Sequence, residues 1–209
     1  MDISMRKNIY SGKFIVVEGL DGSGQTTEAE LLKNYLKERG YKVVLTKEPT
    51  LDSEAGRKIR KVLDKEIVME PNNLQKLFVE DRKEHLEKVI IPALKDDRIV
   101  ISDRYFFSTF AYGAAEDLDL EWLIKINDHF LLPDLTLILK VSPAICIERI
   151  EERDQEKTLF EKKEKLAKVW KTYSVMPEKF ENIHIVDGEG TIEGVFEKIK
   201  NIIDNKLEL

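Results

Sequence analysis

Gly19-Leu20-Asp21-Gly22-Ser23-Gly24-Gln25-Thr26-Thr27 puts three glycines among short polar side chains and two threonines. Glycines let a backbone curl until its N–H groups converge, and convergent N–H groups bind phosphate. The usual form of such a loop is G-x-x-x-x-G-K-[ST], in which Lys reaches the β- and γ-phosphates and Ser or Thr holds Mg²⁺. Gly19, Gly24 and Thr26 keep that spacing, but Gln25 stands where the lysine belongs. A neutral amide loses the charge-assisted part of a phosphate bond, a difference on the order of 1–2 kcal/mol, or roughly 5- to 30-fold. The backbone amides and Thr26 still make a site for a polyphosphate.

Three further groupings carry possible chemistry. Ile99-Val100-Ile101-Ser102-Asp103 is an apolar run ending in a carboxylate, which can serve Mg²⁺ at a sheet's carboxyl edge. Arg104 beside it is a fork for an anion. Phe78 and Arg82 are four apart, so on a helix they share a face suited to a planar base and its carbonyl. Arg149 and Arg153 repeat that spacing in a charged stretch at 148–158, where mobile arginines can close over a phosphate in transfer. Each has a plain structural reading as well: a surface ion pair for Asp103-Arg104, a core position for Phe78, and pairing with Glu148, Glu152 or Asp154 for the two arginines.

These residues need a scaffold, and the apolar pattern supplies one. Strands are predicted at Lys13 to Glu18, Tyr41 to Thr46, Arg98 to Ser102, Leu135 to Val141 and Ile183 to Val186. Helices are predicted from Thr26 or Thr27 to Arg39, and from a cap at Asp52 or Ser53 to Leu63. A long one runs from Asn72 or Asn73 to Leu94, with Leu74, Leu77, Phe78, Leu86, Val89 and Ile90 as its buried stripe and a kink near Pro92. Others follow at Phe106 to Ala115, Leu120 to Phe130, after Ser142, up to Tyr173, and from Ile192 to Leu207. Continuous apolar strands alternating with helices indicate an α/β fold with a parallel sheet covered on both faces. The glycine loop and Asp103 then share the carboxyl edge, where such sheets bind ligands.

The 209 residues suit a single domain, 1–209. A net charge of −6 with no evident basic face argues against a nucleic-acid polymer as partner. No apolar run approaches the ~20 residues that a membrane span needs. The N-terminus lacks an apolar leader, and one cysteine, Cys146, cannot form an internal disulfide. Both point to the cytoplasm. Cys146 lies on an apolar helix face and reads as core.

Taken together these residues resemble the thymidylate (dTMP) kinase family of small P-loop kinases. Residues 14–27 resemble its opening, Glu48-Pro49 its acidic-proline loop, and Leu77-Phe78 with Asp81-Arg82 its base-stacking helix. Asp103-Arg104-Tyr105, Ser108-Thr109 and Ala111-Tyr112 resemble its signature. The resemblance implies a three-layer fold with sheet order 2-3-1-4-5, phosphoryl transfer from ATP to dTMP, Mg²⁺, and a homodimer. It also implies roles. Phe78 would stack on thymine, Arg82 would reach a base carbonyl, and Thr109 would meet the base edge. Tyr112 would lie beside the deoxyribose and Arg104 would hold the 5′-phosphate. Asp21 would meet the 3′-OH, while Thr26 and Asp103 would serve Mg²⁺. Residues 19–27, Gln25 included, would hold the ATP phosphates. Glu48 and Ser108 belong to the acceptor side. Arg149 and Arg153 match a bacterial-type lid, and Gly22, where the eukaryotic type carries arginine, agrees. Three departures stand out: Gln25, the missing Gly-Gly after Pro49, and Gly113 in place of the commoner Gln. They leave two alternatives, a nucleotide-binding relative with weak or no catalysis and a kinase for another monophosphate.

Overall fold

Five parallel strands form the sheet of the computed structural model, which describes residues 5–154 and 159–206, with the side chains of 153–162 outside that description. The strands are β1 (Phe14–Gly19), β2 (Val43–Lys47), β3 (Ile99–Asp103), β4 (Leu135–Lys140) and β5 (Ile183–Asp187). Their order is β2-β3-β1-β4-β5, as the resemblance implies. β1 and β3 are buried along their whole length, which explains their unbroken apolar runs.

Alternation along the strands builds two layers on the sheet. Phe14, Val16, Val100 and Ile138 join one core with Phe106, Phe107 and Phe110 of α5 (Phe106–Ala115) and Val169 and Tyr173 of α8 (Leu159–Val175). Ile15, Val17, Ile101 and Leu137 join the other, with Leu32 and Leu36 of α1 (Gln25–Glu38) and Ile199 and Ile203 of α9 (Ile192–Lys206). No helix among the described residues is long and apolar enough to cross a membrane.

Several boundaries differ from the sequence pattern, each for a local reason. α1 begins at Gln25, because Gly24 adopts the left-handed cap conformation. α2 (Glu54–Leu63) starts as expected, with Ser53 Oγ accepting from Gly56 N at 2.7 Å. α3 (Pro71–His85) starts before Asn72, since Pro71 suits a first helical turn whose N–H groups have no partners. Beyond it lies a π-helical turn, Leu86–Ile90, and then α4 (Ile91–Lys95). Pro92 cannot donate to the preceding turn, and the helix widens ahead of it rather than ending. The extra residue carries Val89 off the buried stripe, to 37% exposed. α6 (Leu120–Lys125) stops short of Phe130. α7 (Pro143–Asp154) carries Glu148–Asp154 as helix, so much of the expected lid is the polar face of an amphipathic helix. Residues 155–158 of that lid lie outside the described residues.

Candidate active site

β1 ends in the glycine loop, and the loop ends in the N-terminus of α1. Gly22 and Gly24 have φ of 83° and 97°. A Cβ on Gly22 would lie 2.4 Å from the Cys146 carbonyl oxygen, so the loop requires glycine there on both counts. Burial pushes the Cys146 thiol up to about 12, in keeping with a core residue. The loop leads directly into the positive end of α1, an arrangement that suits an anion. Gln25 takes a different position from a phosphate ligand. It is 6% exposed. In the amide orientation that satisfies its neighbours, Nε2 donates to Ser23 Oγ (2.6 Å) and Leu20 O (3.0 Å), and the oxygen accepts from the Arg104 guanidinium at 2.5 Å.

Arg104 is where the loop meets the rest of the site. Its φ is 74°, a strained value for a side-chain-bearing residue that costs of order 1–3 kcal/mol. Neighbours hold it there: Arg104 N donates to Val17 O (3.0 Å), Ser102 Oγ to Arg104 O (2.7 Å), and Tyr105 N to Glu18 Oε1 (2.9 Å). The guanidinium donates to Gly19 O (3.2 Å), Ser108 Oγ (2.9 Å) and Asp21 Oδ1 (2.7 Å), and lies 5.3 Å from the Tyr112 ring centre. Tyr112 Oη in turn accepts from Asp21 N at 2.9 Å. Glu18 anchors this corner from below. It accepts from Ser108 N (3.1 Å), Ser108 Oγ (2.5 Å) and Tyr173 Oη (2.8 Å) as well as Tyr105 N. Burial raises its carboxyl above the ordinary range, and Arg104 pulls it back. Sequence reasoning passed over Glu18, although a glutamate closing an apolar strand was a visible signal.

The strand register sets Asp103 opposite both Val17 and Lys47. Thr26 Oγ1 donates to Asp103 Oδ2 at 2.6 Å, and Lys47 Nζ donates to the same oxygen at 2.7 Å. Asp103 Oδ1 is buried with no hydrogen-bond partner among the described residues. A hydroxyl and an unsatisfied carboxylate oxygen suit Mg²⁺, which binds few protein oxygens and keeps phosphates and water as its other ligands.

On the acceptor side, Arg82 is 1% exposed, and three of its five N–H groups are engaged. It donates to Glu48 Oε2 (2.8 Å), Asn127 Oδ1 (2.5 Å) and Thr109 Oγ1 (3.1 Å), with its guanidinium 5.2 Å from the Tyr105 ring centre. Glu48, expected at the acceptor, is itself buried: its other oxygen meets His85 Nδ1 at 3.0 Å, so it orients Arg82 instead of facing a ligand. Thr50 occupies part of the missing Gly-Gly and has its own anchor. Asp81 accepts from Thr50 N (2.8 Å), Thr50 Oγ1 (2.6 Å) and Ser53 Oγ (2.5 Å). Phe78 is half-buried one turn before Arg82. Gly113 lets α6 close in, since a Cβ there would lie 2.8 Å from Leu123 Cδ1. Its Cβ position is also 3.5 Å from Gln75 Cδ. Gln75, which the sequence reading missed, is 4% exposed, and its Oε1 has no partner among the described residues.

Arg149 reaches the loop from α7, donating to Ser23 O at 3.2 Å. The side chain of Arg153 lies outside the described residues. Glu28 is 3% exposed, and burial pushes its carboxyl up to about 7, against the pull of Arg149. The folded state therefore holds this proton more tightly than the unfolded chain does. Its contribution to stability is full below the ordinary value near 4.5 and is lost as pH rises through about 7. Glu28→Gln is expected to flatten the melting temperature between those pH values and to raise stability above pH 7 by about 2–3 kcal/mol. Thermal melts across that range check this, and parallel curves for the two proteins would refute it.

Comparison with known proteins agrees with this geometry. The family model described as thymidylate kinase matches residues 17–199. A probable thymidylate kinase of Pyrococcus horikoshii is 41% identical over 202 residues, covering 94% of this chain and 98% of that protein. The thymidylate kinase of Caldicellulosiruptor saccharolyticus is 39% identical over 203 residues, covering 94% and 98%. That of Mesoplasma florum is 41% identical over 205, covering 94% and 97%. With the glycine loop, Arg104 and Asp103 in one arrangement, and with likeness over nearly its full length, the chain belongs to the thymidylate kinase family.

Proposed function

We propose that this protein transfers the γ-phosphoryl group of ATP to dTMP, giving dTDP and ADP. The observation that carries the reading is Arg104, whose guanidinium touches the glycine loop, Asp21 and Ser108 at once. Phosphoryl transfer needs little covalent help from a protein; positioning and charge neutralisation supply most of the rate. The loop N–H groups hold the ATP phosphates. Arg104 holds the acceptor phosphate in line with them, and Asp21 meets the sugar 3′-OH. Tyr112 packs where a 2′-OH would stand. Phe78 stacks on the base, while Arg82 and Thr109 face its edge. Arg149 leans over the loop, and Arg153 extends the same helix. When bound, Mg²⁺ neutralises charge on the β- and γ-phosphates, and Thr26 and Asp103 would hold it. A homodimer in the cytoplasm fits the family.

Gln75 extends the base pocket. A buried amide oxygen without a partner, such as Gln75 Oε1, costs about 1–3 kcal/mol. The imide edge of thymine offers one donor and flanking acceptors, and a carboxamide can meet both. Gln75→Leu is expected to lower kcat/KM for dTMP by about 10-fold while leaving the free protein as stable or more so. A substrate panel of dTMP, dUMP and dCMP, with melting of the unliganded protein, reads both effects. Unchanged dTMP kinetics would remove Gln75 from the pocket.

The function itself is tested by ADP release from purified protein with Mg²⁺, ATP and dTMP. Turnover that needs dTMP is the expected result. Binding of both nucleotides without ADP formation would replace this reading with a non-catalytic one, and preference for another monophosphate would change the acceptor.

A further inference from the structure

We propose that Lys47, at the end of β2, supplies the ammonium that the glycine loop lacks at position 25. The proposal rests on the phosphoryl-transfer reading above. Three observations carry it. Gln25 is turned under the loop, and its amide is engaged with Leu20, Ser23 and Arg104. Lys47 Nζ is 2.7 Å from Asp103 Oδ2 and 3.3 Å from Thr26 Oγ1, so an ammonium lies against the residue next to Gln25. The Lys47 side chain is 55% exposed, whereas Asp103 is 4% exposed, so a cation on a flexible stem faces the open side of a buried carboxylate.

Among the described residues, Arg104 and Arg149 also bring cations to the loop, and they are held differently. Arg104 is tied to Asp21, Ser108 and Gly19, on the acceptor side. Arg149 rests on the carbonyl oxygens of Gly22 and Ser23, at the outer rim. Lys47 approaches from the strand edge, beside the residues that would hold Mg²⁺. Asp103 is paired with Lys47 in the free protein. A polyphosphate in the loop offers the ammonium a stronger anion, and its four-carbon stem lets it turn there without backbone movement. The ammonium thus stands at the end of β2 and not at the start of α1, where the neutral Gln25 braces Arg104.

Binding of Mg²⁺ with AMP-PNP, a non-hydrolysable ATP analogue, tests this apart from turnover. Lys47→Ala is expected to weaken AMP-PNP by about 5- to 30-fold and to lower kcat by about 10- to 100-fold, with Lys47→Arg restoring most of both. In a Gln25→Lys background the loss on Lys47→Ala should shrink to about 3-fold, since each lysine then covers for the other. Affinity for AMP-PNP unchanged by Lys47→Ala would overturn the proposal. So would a loss confined to dTMP binding, or losses that multiply independently in the double variant. If the wild-type protein turns over no nucleotide, the phosphoryl-transfer reading fails, and the AMP-PNP comparison still decides the place of Lys47.

Discussion

Arg104→Ala is expected to lower kcat/KM for dTMP by about 10²- to 10³-fold, more than any other single change to the acceptor site. A charge-assisted hydrogen bond to phosphate is worth about 1.5–3 kcal/mol, and a guanidinium makes two in parallel. Arg104 also carries more than its own contacts. It is the group on which Gln25, Asp21 and Ser108 converge, so its removal leaves the Asp21 N–Tyr112 Oη bond to hold the loop to α5. Arg104→Lys keeps the charge and loses the fork, and should fall between. Strain gives a separate check. At φ 74° glycine is at ease and alanine is not, so Arg104→Gly should be more stable than Arg104→Ala by about 1 kcal/mol while equally inactive. Steady-state kinetics with varied dTMP at saturating ATP, with melting of each variant, give both results. A loss under about tenfold would remove Arg104 from the acceptor phosphate.

Why so much of this was legible follows from where the information lies. β1 and β3 are covered on both faces, so their sequences are unbroken apolar runs that allow few other readings. Asp103 and the glycine loop were placed together because parallel strands end at a common edge, and the register bears this out. What stayed hidden depends on partners distant in sequence. Lys47 looks like an ordinary loop lysine until β2 pairs with β3 and brings it to Asp103. Glu48 was assigned to the acceptor by its motif, yet His85 and Arg82 of α3 enclose it. Gln75 reads as one more polar residue of α3, and only its burial without a partner marks it. Glu148 to Asp154 resembled a loop because charge dominates there. The inward face of that helix is carried mainly by residues before the charged run, Ile145, Cys146 and Ile147.

Glu48→Ala is expected to destabilise the fold by about 3–5 kcal/mol, the largest stability loss of any polar substitution at the site. Glu48 and Arg82 are 3% and 1% exposed in side chain, and His85 is buried against them. Removing the carboxylate leaves a guanidinium that is 1% exposed without its counter-ion. The Tyr105 and Phe130 rings cover its faces at 5.2 and 5.8 Å, and Asn127 and Thr109 offer only neutral oxygens. Glu48→Gln keeps one acceptor and should lose less. Replacing both charges, Glu48→Leu with Arg82→Met, should cost less than the sum of the single changes, because neither leaves an unpaired ion behind. Guanidinium denaturation of Glu48→Ala, Glu48→Gln, Glu48→Leu, Arg82→Met and the double variant measures this, and a Glu48→Ala loss under about 1 kcal/mol would show that water enters the pair. The functional consequence has a separate reading. If the carboxylate serves to aim Arg82 at a base carbonyl, folded Glu48→Gln should lose kcat/KM for dTMP while its KM for ATP stays put. If the pair is structural alone, apparent kcat should fall only in proportion to the fraction of folded protein, with the KM for dTMP and the KM for ATP both unchanged.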